Sequence, residues 1–223
     1  LVRAQARYRT TPRGASSARP RGCQGPVLGV RAPEMGVPQP HLLFAPCAPG
    51  LEPLLLAEVR AAGGVRPRVV PGGVELEAND HVLGRCLLEL GLALDLRARL
   101  GDFFAPALDA IPRGVAELDW QRWLGPGQTV EVRATSRRSR LTHTGAVEAR
   151  VLEGIRRAAG SLAAEDPEPW RVFARLERNR LFVTLSLAGA PLHRRGYRLS
   201  GAKAPLREDP AHGLLALAGW QPE

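Results

Sequence analysis

From His41 onward the apolar residues change their spacing in a set succession, and that succession limits the fold more than any single motif does. LLFAP (42–46) is a short apolar run of strand length, and GLEPLLLAEVRAAGG (50–64) repeats leucines at helical spacing. Leu51, Leu54, Leu55 and Val59 share one face of that helix, and Gly63-Gly64 closes it. RPRVV, then GG, then VELEA (66–78) reads as a hairpin whose paired glycines supply the positive φ angles of a tight turn. Asn79 or Asp80 caps a second helix that runs to about Leu90 and turns Val82, Leu83, Cys86, Leu87 and Leu90 inward. A strand over LDLRARL (94–100) completes the order β-α-β-β-α-β, which is the ferredoxin-like order, over residues 41–104.

A second unit follows, over residues 105–198. Residues 106–124 read as helix in two pieces, broken at Ile111-Pro112 and capped near Asp119, with Trp120, Trp123 and Leu124 as packing anchors. GQTVEVRAT (127–135) alternates Val130, Val132 and Ala134 against Thr129, Glu131 and Arg133, the pattern of a half-buried strand. SRRSRLTHT (136–144) is a basic loop that leads into a helix, 145–159, with Val147, Val151, Leu152 and Ile155 as its inner stripe. WRVFARLER and RLFVTLSLAG (170–189) pair as a hairpin around Asn179.

Charge is distributed unevenly along this order. The chain carries a net +9, and all but one of its basic residues are arginines, Lys203 being the exception. Residues 131–200 hold fourteen arginines against seven carboxylates, whereas 41–130 are slightly acidic. A folded basic stretch points to an anionic partner. Residues 1–40, rich in Arg, Pro, Gly and Ser and without apolar period, are expected to be disordered. Cys23, Cys47 and Cys86 form no CxxC pair and have no histidine at ligand spacing, which argues against a zinc site or a disulfide framework. No apolar run reaches membrane-spanning length and no signal peptide is evident, so a cytoplasmic setting is expected, with no membrane and no metal.

Two arginine clusters are the candidate binding residues: Arg137, Arg138 and Arg140 between a strand and a helix N-terminus, and Arg194, Arg195 and Arg198 after the last strand. Guanidinium forks and helix N-termini both suit phosphate, so each cluster fits a nucleic-acid backbone. His143 and His193 lack the partners of a catalytic pair; His143 fits a helix cap or a hydrogen bond to RNA, and His193 a structural role. Glu208 and Asp209 read as helix-start residues. PGGVELE and LGPGQTV are turns, because neither stands between a strand and a helix in the order that a nucleotide-binding loop needs.

Four segments taken in order resemble the THUMP-containing guanine-N2 RNA methyltransferases: FAPCAPGLEPLLLAEV (44–59), VVPGGVELEA (69–78), SRLTHTGAVEARVLEGI (139–155) and LSLAGAPLHRRGYRLSGAKAPLREDPAHGLLALAGW (185–220). The resemblance implies an α+β chain in which a ferredoxin-like domain precedes a THUMP domain, the latter a mixed sheet with flanking helices, and residues 199–223 form a linker helix. It implies RNA as partner, ribosomal RNA foremost and transfer RNA as the alternative, with contacts at Arg140, His143, Arg194, Arg195 and Arg198.

The family's catalytic domain binds S-adenosylmethionine through D-P-x-C-G-S-G-T and holds its target with N-P-P-Y. Neither motif is present: Asn79 and Asn179 are followed by Asp80 and Arg180. The Rossmann-like methyltransferase domain is therefore expected to be absent from this chain, which by itself should bind no cofactor and transfer no methyl group. Pro210 stands where the family has an ordinary helical residue, so that helix is expected to start later or kink. The alternatives are a stand-alone RNA-binding or ribosome-associated protein, or the THUMP module of another RNA-modifying enzyme such as a thiouridine synthase or deaminase.

Overall fold

The computed structural model describes residues 40–125, 127–160, 169–195 and 205–220. The stretch expected to be disordered lies, but for Pro40, outside them. The elements run β1 (His41–Pro46), α1 (Glu52–Ala61), β2 (Val65–Val70), β3 (Gly73–Ala78), α2 (Asp80–Glu89), β4 (Arg97–Phe104), α3 (Ala110–Ala116), β5 (Val130–Arg137), α4 (Thr144–Ala159), β6 (Trp170–Glu177), β7 (Arg180–Ser186) and α5 (Glu208–Leu217). They form one seven-stranded sheet in the order β2-β3-β1-β4-β7-β6-β5. The first four strands have the ferredoxin-like arrangement, and the sheet is mixed because β5 and β6, joined through α4, are parallel while the other pairs are antiparallel.

β4 joins the two halves: it pairs with β1 on one side, Leu43 opposite Ala98, and with β7 on the other, Ala98 opposite Leu185. The junction is fastened by Asp95, a buried carboxylate that accepts from Ser186 Oγ at 2.8 Å, Leu96 N–H at 2.9 Å and Arg97 Nε at 2.9 Å. His41 makes a second link. Its Nδ1 lies 2.8 Å from Arg122 Nη2, and because a guanidinium only donates, Nδ1 accepts and the proton resides on Nε2, which donates to Asp80 at 2.6 Å. Trp123 packs on the same ring, 4.9 Å between centroids.

One face of the sheet is apolar and continuous across both halves. Leu43, Val74, Ala98, Leu185, Val172 and Leu181 are buried there beneath the helices. α1 contributes Leu55 and Val59, α2 Leu83 and Cys86, and α4 Val147, Val151, Gly154 and Ile155. Gly154 holds a place expected of a side chain, because a Cβ there would come within 2.7 Å of Pro112 O where α3 crosses α4. Burial pushes the thiols of Cys47 and Cys86 up to about 11, so both remain protonated packing groups at neutral pH.

Several local expectations need correction. Pro112 does not break a helix: it is the third residue of α3, where backbone N–H groups have no intrahelical acceptor. Pro210 occupies the same position in α5, which begins at Glu208 without delay. The paired glycines of the β2–β3 turn do different jobs. Gly72 has the positive φ of +88°, whereas Gly73 is already in β3, and a Cβ on it would stand 2.2 Å from Ala45 O and 2.9 Å from Pro46 Cα. Asn79 rather than Asp80 caps α2, its Oδ1 accepting from Val82 N–H at 2.9 Å, while Asp80 is held by His41.

α5 lies on the ferredoxin-like half. His212 pairs with Glu58 of α1 at 2.8 Å, Gly213 packs on Leu51, and the buried Asp209 accepts from Arg207. No helix among the described residues is long and apolar enough to cross a membrane.

Gly73→Ala is expected to cost about 2 kcal/mol in urea unfolding, since the clash is with backbone that cannot rotate away. Gly72→Ala should cost about 1 kcal/mol, from backbone strain alone.

Candidate nucleic-acid interface

β5 carries its arginines to the end of the strand and passes into α4 through a loop that has no conformational freedom to spare. Arg138 sits at φ +51°, in the left-handed region that side chains other than glycine and asparagine seldom adopt. Ser136 Oγ donates to Leu141 O at 2.5 Å and Ser139 Oγ to Arg137 O at 3.0 Å. The β6–β7 turn then locks onto the loop from the side. Arg178 and Asn179 both have positive φ, 50° and 61°, as a two-residue hairpin turn matched to strand twist requires. Asn179 Oδ1 accepts from Arg140 N–H at 2.8 Å, Asn179 N–H donates to Ser139 Oγ at 3.0 Å, and Arg178 N–H donates to Arg137 O at 3.3 Å.

The side chains of Arg137, Arg138 and Arg140 are all exposed on this fixed backbone, and Arg178 joins them. None of the four has an ion-pair partner among the described residues. Their neighbours behave otherwise: Arg133 pairs with Glu131 at 2.7 Å, Arg175 with Glu177, Arg180 with Asp102, and Arg150 and Arg157 share Glu153. The hydrogen bond from Arg150 is the first of the contacts that lower the Glu153 carboxyl below its usual range. At this loop, then, four arginines stand on a fixed backbone with no ion pair among the described residues. Backbone donors, guanidinium forks and a helix N-terminus in one spot suit a phosphate chain. His143 is the cap of α4, its Nδ1 accepting from Ala146 N–H at 3.2 Å, so it holds the far end of the same loop.

The second cluster is elsewhere. After β7 the chain runs beside residues 94–96, with Leu187 N–H donating to Leu96 O at 2.8 Å and Leu192 N–H to Leu94 O at 3.0 Å. Arg195 folds back on the C-terminal end of α2 and donates to the carbonyls of Leu87, Leu88 and Leu90 at 2.7, 2.9 and 2.7 Å. Those carbonyls lack acceptable intrahelical donors, and Arg195 satisfies them. Arg194 is exposed beside it, His193 has a buried Nδ1 without a hydrogen-bond partner, and Arg198 lies outside the described residues. The two clusters flank opposite ends of β7, seven residues long and hence roughly 20 Å.

Arg178 escaped notice in the sequence because it belongs to a different hairpin, 38 residues after Arg140, and is brought to the loop by its own bond to Arg137 O and by the Asn179 contacts. The β1–α1 connection has one glycine, Gly50, and the β5–α4 connection has none, so neither lets backbone approach a cofactor closely. Among the described residues no group of three or more His, Cys, Asp or Glu side chains is placed to hold a metal ion.

Comparison with known proteins agrees with this geometry. Residues 42–94 match the RlmL ferredoxin-like domain and residues 105–186 the THUMP domain. The ribosomal RNA large subunit methyltransferase K/L of Cellvibrio japonicus is 35% identical over 187 residues, 81% of this chain and 25% of that protein. The protein of the same name from Methylococcus capsulatus is 35% identical over 192 residues, 82% of this chain and 26% of that protein. A crystal structure from Listeria monocytogenes, described as a predicted N6-adenine-specific DNA methylase, superposes with a TM-score of 0.74 at 28% identity, covering 82% of this chain and 49% of that one. The chain spans about a quarter of the length of the curated relatives it matches. Over that span it carries a ferredoxin-like domain of the RlmL kind followed by a THUMP domain, and across both it is similar to large-subunit ribosomal RNA methyltransferases.

Proposed function

We propose that this chain holds RNA for a methyltransferase domain that uses S-adenosylmethionine, with large-subunit ribosomal RNA in the cytoplasm as the substrate. The observation that carries the reading is the interlocked β5–α4 loop, on which Arg137, Arg138 and Arg140 stand exposed and unpaired next to Arg178. Charge held on a rigid backbone loses little entropy when it meets a phosphate, so the loop is pre-organised for a polyanion. The relatives' name supplies the RNA class, and transfer RNA is the competitor to be tested against it. Arg194 and Arg198 belong to the reading as peripheral contacts, whereas Arg195 serves it by fixing the end of α2. Methyl transfer belongs to the cofactor-binding domain of the relatives, and no step of it is assigned to these residues.

The combined variant Arg137→Ala, Arg138→Ala, Arg140→Ala should lower affinity for a structured ribosomal RNA fragment at least about tenfold at low salt, and reduce the slope of log K against log salt by about two to three. Arg195→Ala should leave the slope unchanged and lower stability by about 1–2 kcal/mol. Affinity unchanged in the triple variant would refute the reading, and an equal preference for transfer RNA in competition would remove ribosomal RNA as the substrate.

Asn179→Gly keeps the left-handed turn and removes the side-chain acceptor of Arg140 N–H. Faster hydrogen exchange at the Arg140 amide and a few-fold loss of RNA affinity are expected, with the salt slope preserved because every arginine remains.

A further inference from the structure

The sheet has a second face, and no described helix covers it. Cross-strand register places Arg99, Thr184, Phe173 and Arg133 on it in one row and Phe182, Arg175 and Thr135 in the next, while Glu75, Phe44 and Arg97 stand in line on the ferredoxin-like half. A groove of about 850 Å³ runs across this face through both halves of the molecule. Its lining includes six arginines against three glutamates, together with Phe44, Phe173 and Phe182, and it reaches Arg137 and Arg138 at the basic loop. Leu42 and Phe104, both more than half exposed, lie on the same face beyond the groove.

The arginines of the groove are held flat. Arg97 is fixed through Nε by Asp95 at 2.9 Å, and its guanidinium lies 3.6 Å above the centre of the Phe173 ring. Arg99 is gripped at its edge by Glu75 and Asp102, with its carbon 5.7 Å from the centre of the Phe182 ring. A carboxylate thus holds one edge of each guanidinium, Nε of Arg97 and the Nη groups of Arg99, which fixes the plane available for stacking. Flat guanidinium faces and aromatic rings in a row accept unpaired bases by stacking, while hydroxyls such as Thr135 and Thr184 offer hydrogen bonds to base edges or the ribose 2′-OH. A duplex cannot use such a surface, because its bases are already stacked and paired. A protein partner fits it less well, because an interface core depletes charge and this groove keeps a positive excess.

We propose that this uncovered face is a second RNA contact that takes unpaired nucleotides, their bases stacked on Phe44, Phe182 and the Arg97–Phe173 pair, and their phosphates leading toward Arg137 and Arg138. The proposal rests on the reading of the basic loop as an RNA contact. It gives that loop a substrate class: a single-stranded segment adjoining structured RNA.

The test compares a short oligouridylate with an RNA duplex of the same length, on the whole chain. The variant Phe44→Leu, Phe173→Leu, Phe182→Leu keeps apolar contact between strands and removes the rings. It should lose oligouridylate affinity about fivefold or more and keep duplex affinity. The alanine variant of Arg137, Arg138 and Arg140 should weaken both probes. In the unsubstituted chain, oligouridylate containing 4-thiouridine should crosslink to β1, β6 and β7. Crosslinks confined to the Arg137–Arg140 loop, or equal losses for both probes in the leucine variant, would overturn the proposal while leaving the loop reading intact. Unchanged affinity in the arginine variant would instead remove the loop reading. A dimer in light scattering that the leucine variant dissolves would assign the face to a second copy of the chain and overturn the proposal as well.

Discussion

The structure depends on β4 having a partner along each of its edges. A ferredoxin-like unit alone would leave β4 as an open row of backbone donors and acceptors, a ready template for association. Here β7 occupies that edge, and the apolar face continues from Ala98 to Leu185 and Val172 without a seam. The two outer edges are left to strands that resist pairing. β2 carries Pro67 and the exposed Arg66 and Arg68, and β5 carries Arg133 and Arg137. The two units that the sequence order suggests are thus halves of one sheet, closed at the middle by Asp95 and at one margin by His41.

Periodicity revealed most of this architecture because burial and period are the same constraint. Leu55 and Val59, Val147 and Val151, and the alternation of Val172, Ala174 and Leu176 all follow from one face meeting the core. Periodicity could not show what long-range packing decides. Gly73 is required by the proximity of Ala45 O from the neighbouring strand, and Gly154 by the crossing of α3 over α4; neither contact is local in sequence. The prolines misled for a related reason. Pro112 and Pro210 break a helix only where a donor is needed, and whether a residue is in the first turn depends on where the preceding chain allows the helix to begin.

The candidate interface was half legible for the same reason. Arg137, Arg138, Arg140 and His143 are contiguous, so a basic loop ahead of a helix could be recognised from the sequence, including the capping role of His143. Arg178 arrives through a hairpin turn that is held to the loop by its bond to Arg137 O and by Asn179, 39 residues from Arg140 in sequence. Arg195 looked like its neighbours in sequence and is not: three carbonyls at the end of α2 take up its guanidinium, and nothing in RRGYR indicates them.

The charge excess of residues 131–200 is not spread over the surface as the sequence count suggests. Arg133, Arg150, Arg157, Arg175 and Arg180 each face a carboxylate, several of them directly along or across a strand. Exposed pairs of this kind contribute little stability, about 0–1 kcal/mol each, but they cancel the field locally. Among the described residues, Arg137, Arg138, Arg140 and Arg178 at one end of the sheet are left without an ion pair, and there Arg138, Arg178 and Asn179 take left-handed conformations. Backbone strain there is maintained by the interlock of two loops, and the same interlock fixes the backbone that carries four arginines with no ion-pair partner among the described residues. A partner that brings its own negative charges, spaced along a chain, would supply the counter-charges these arginines lack. Local strain and local charge thus have one structural origin, and the proposed affinity for a phosphate backbone rests on it.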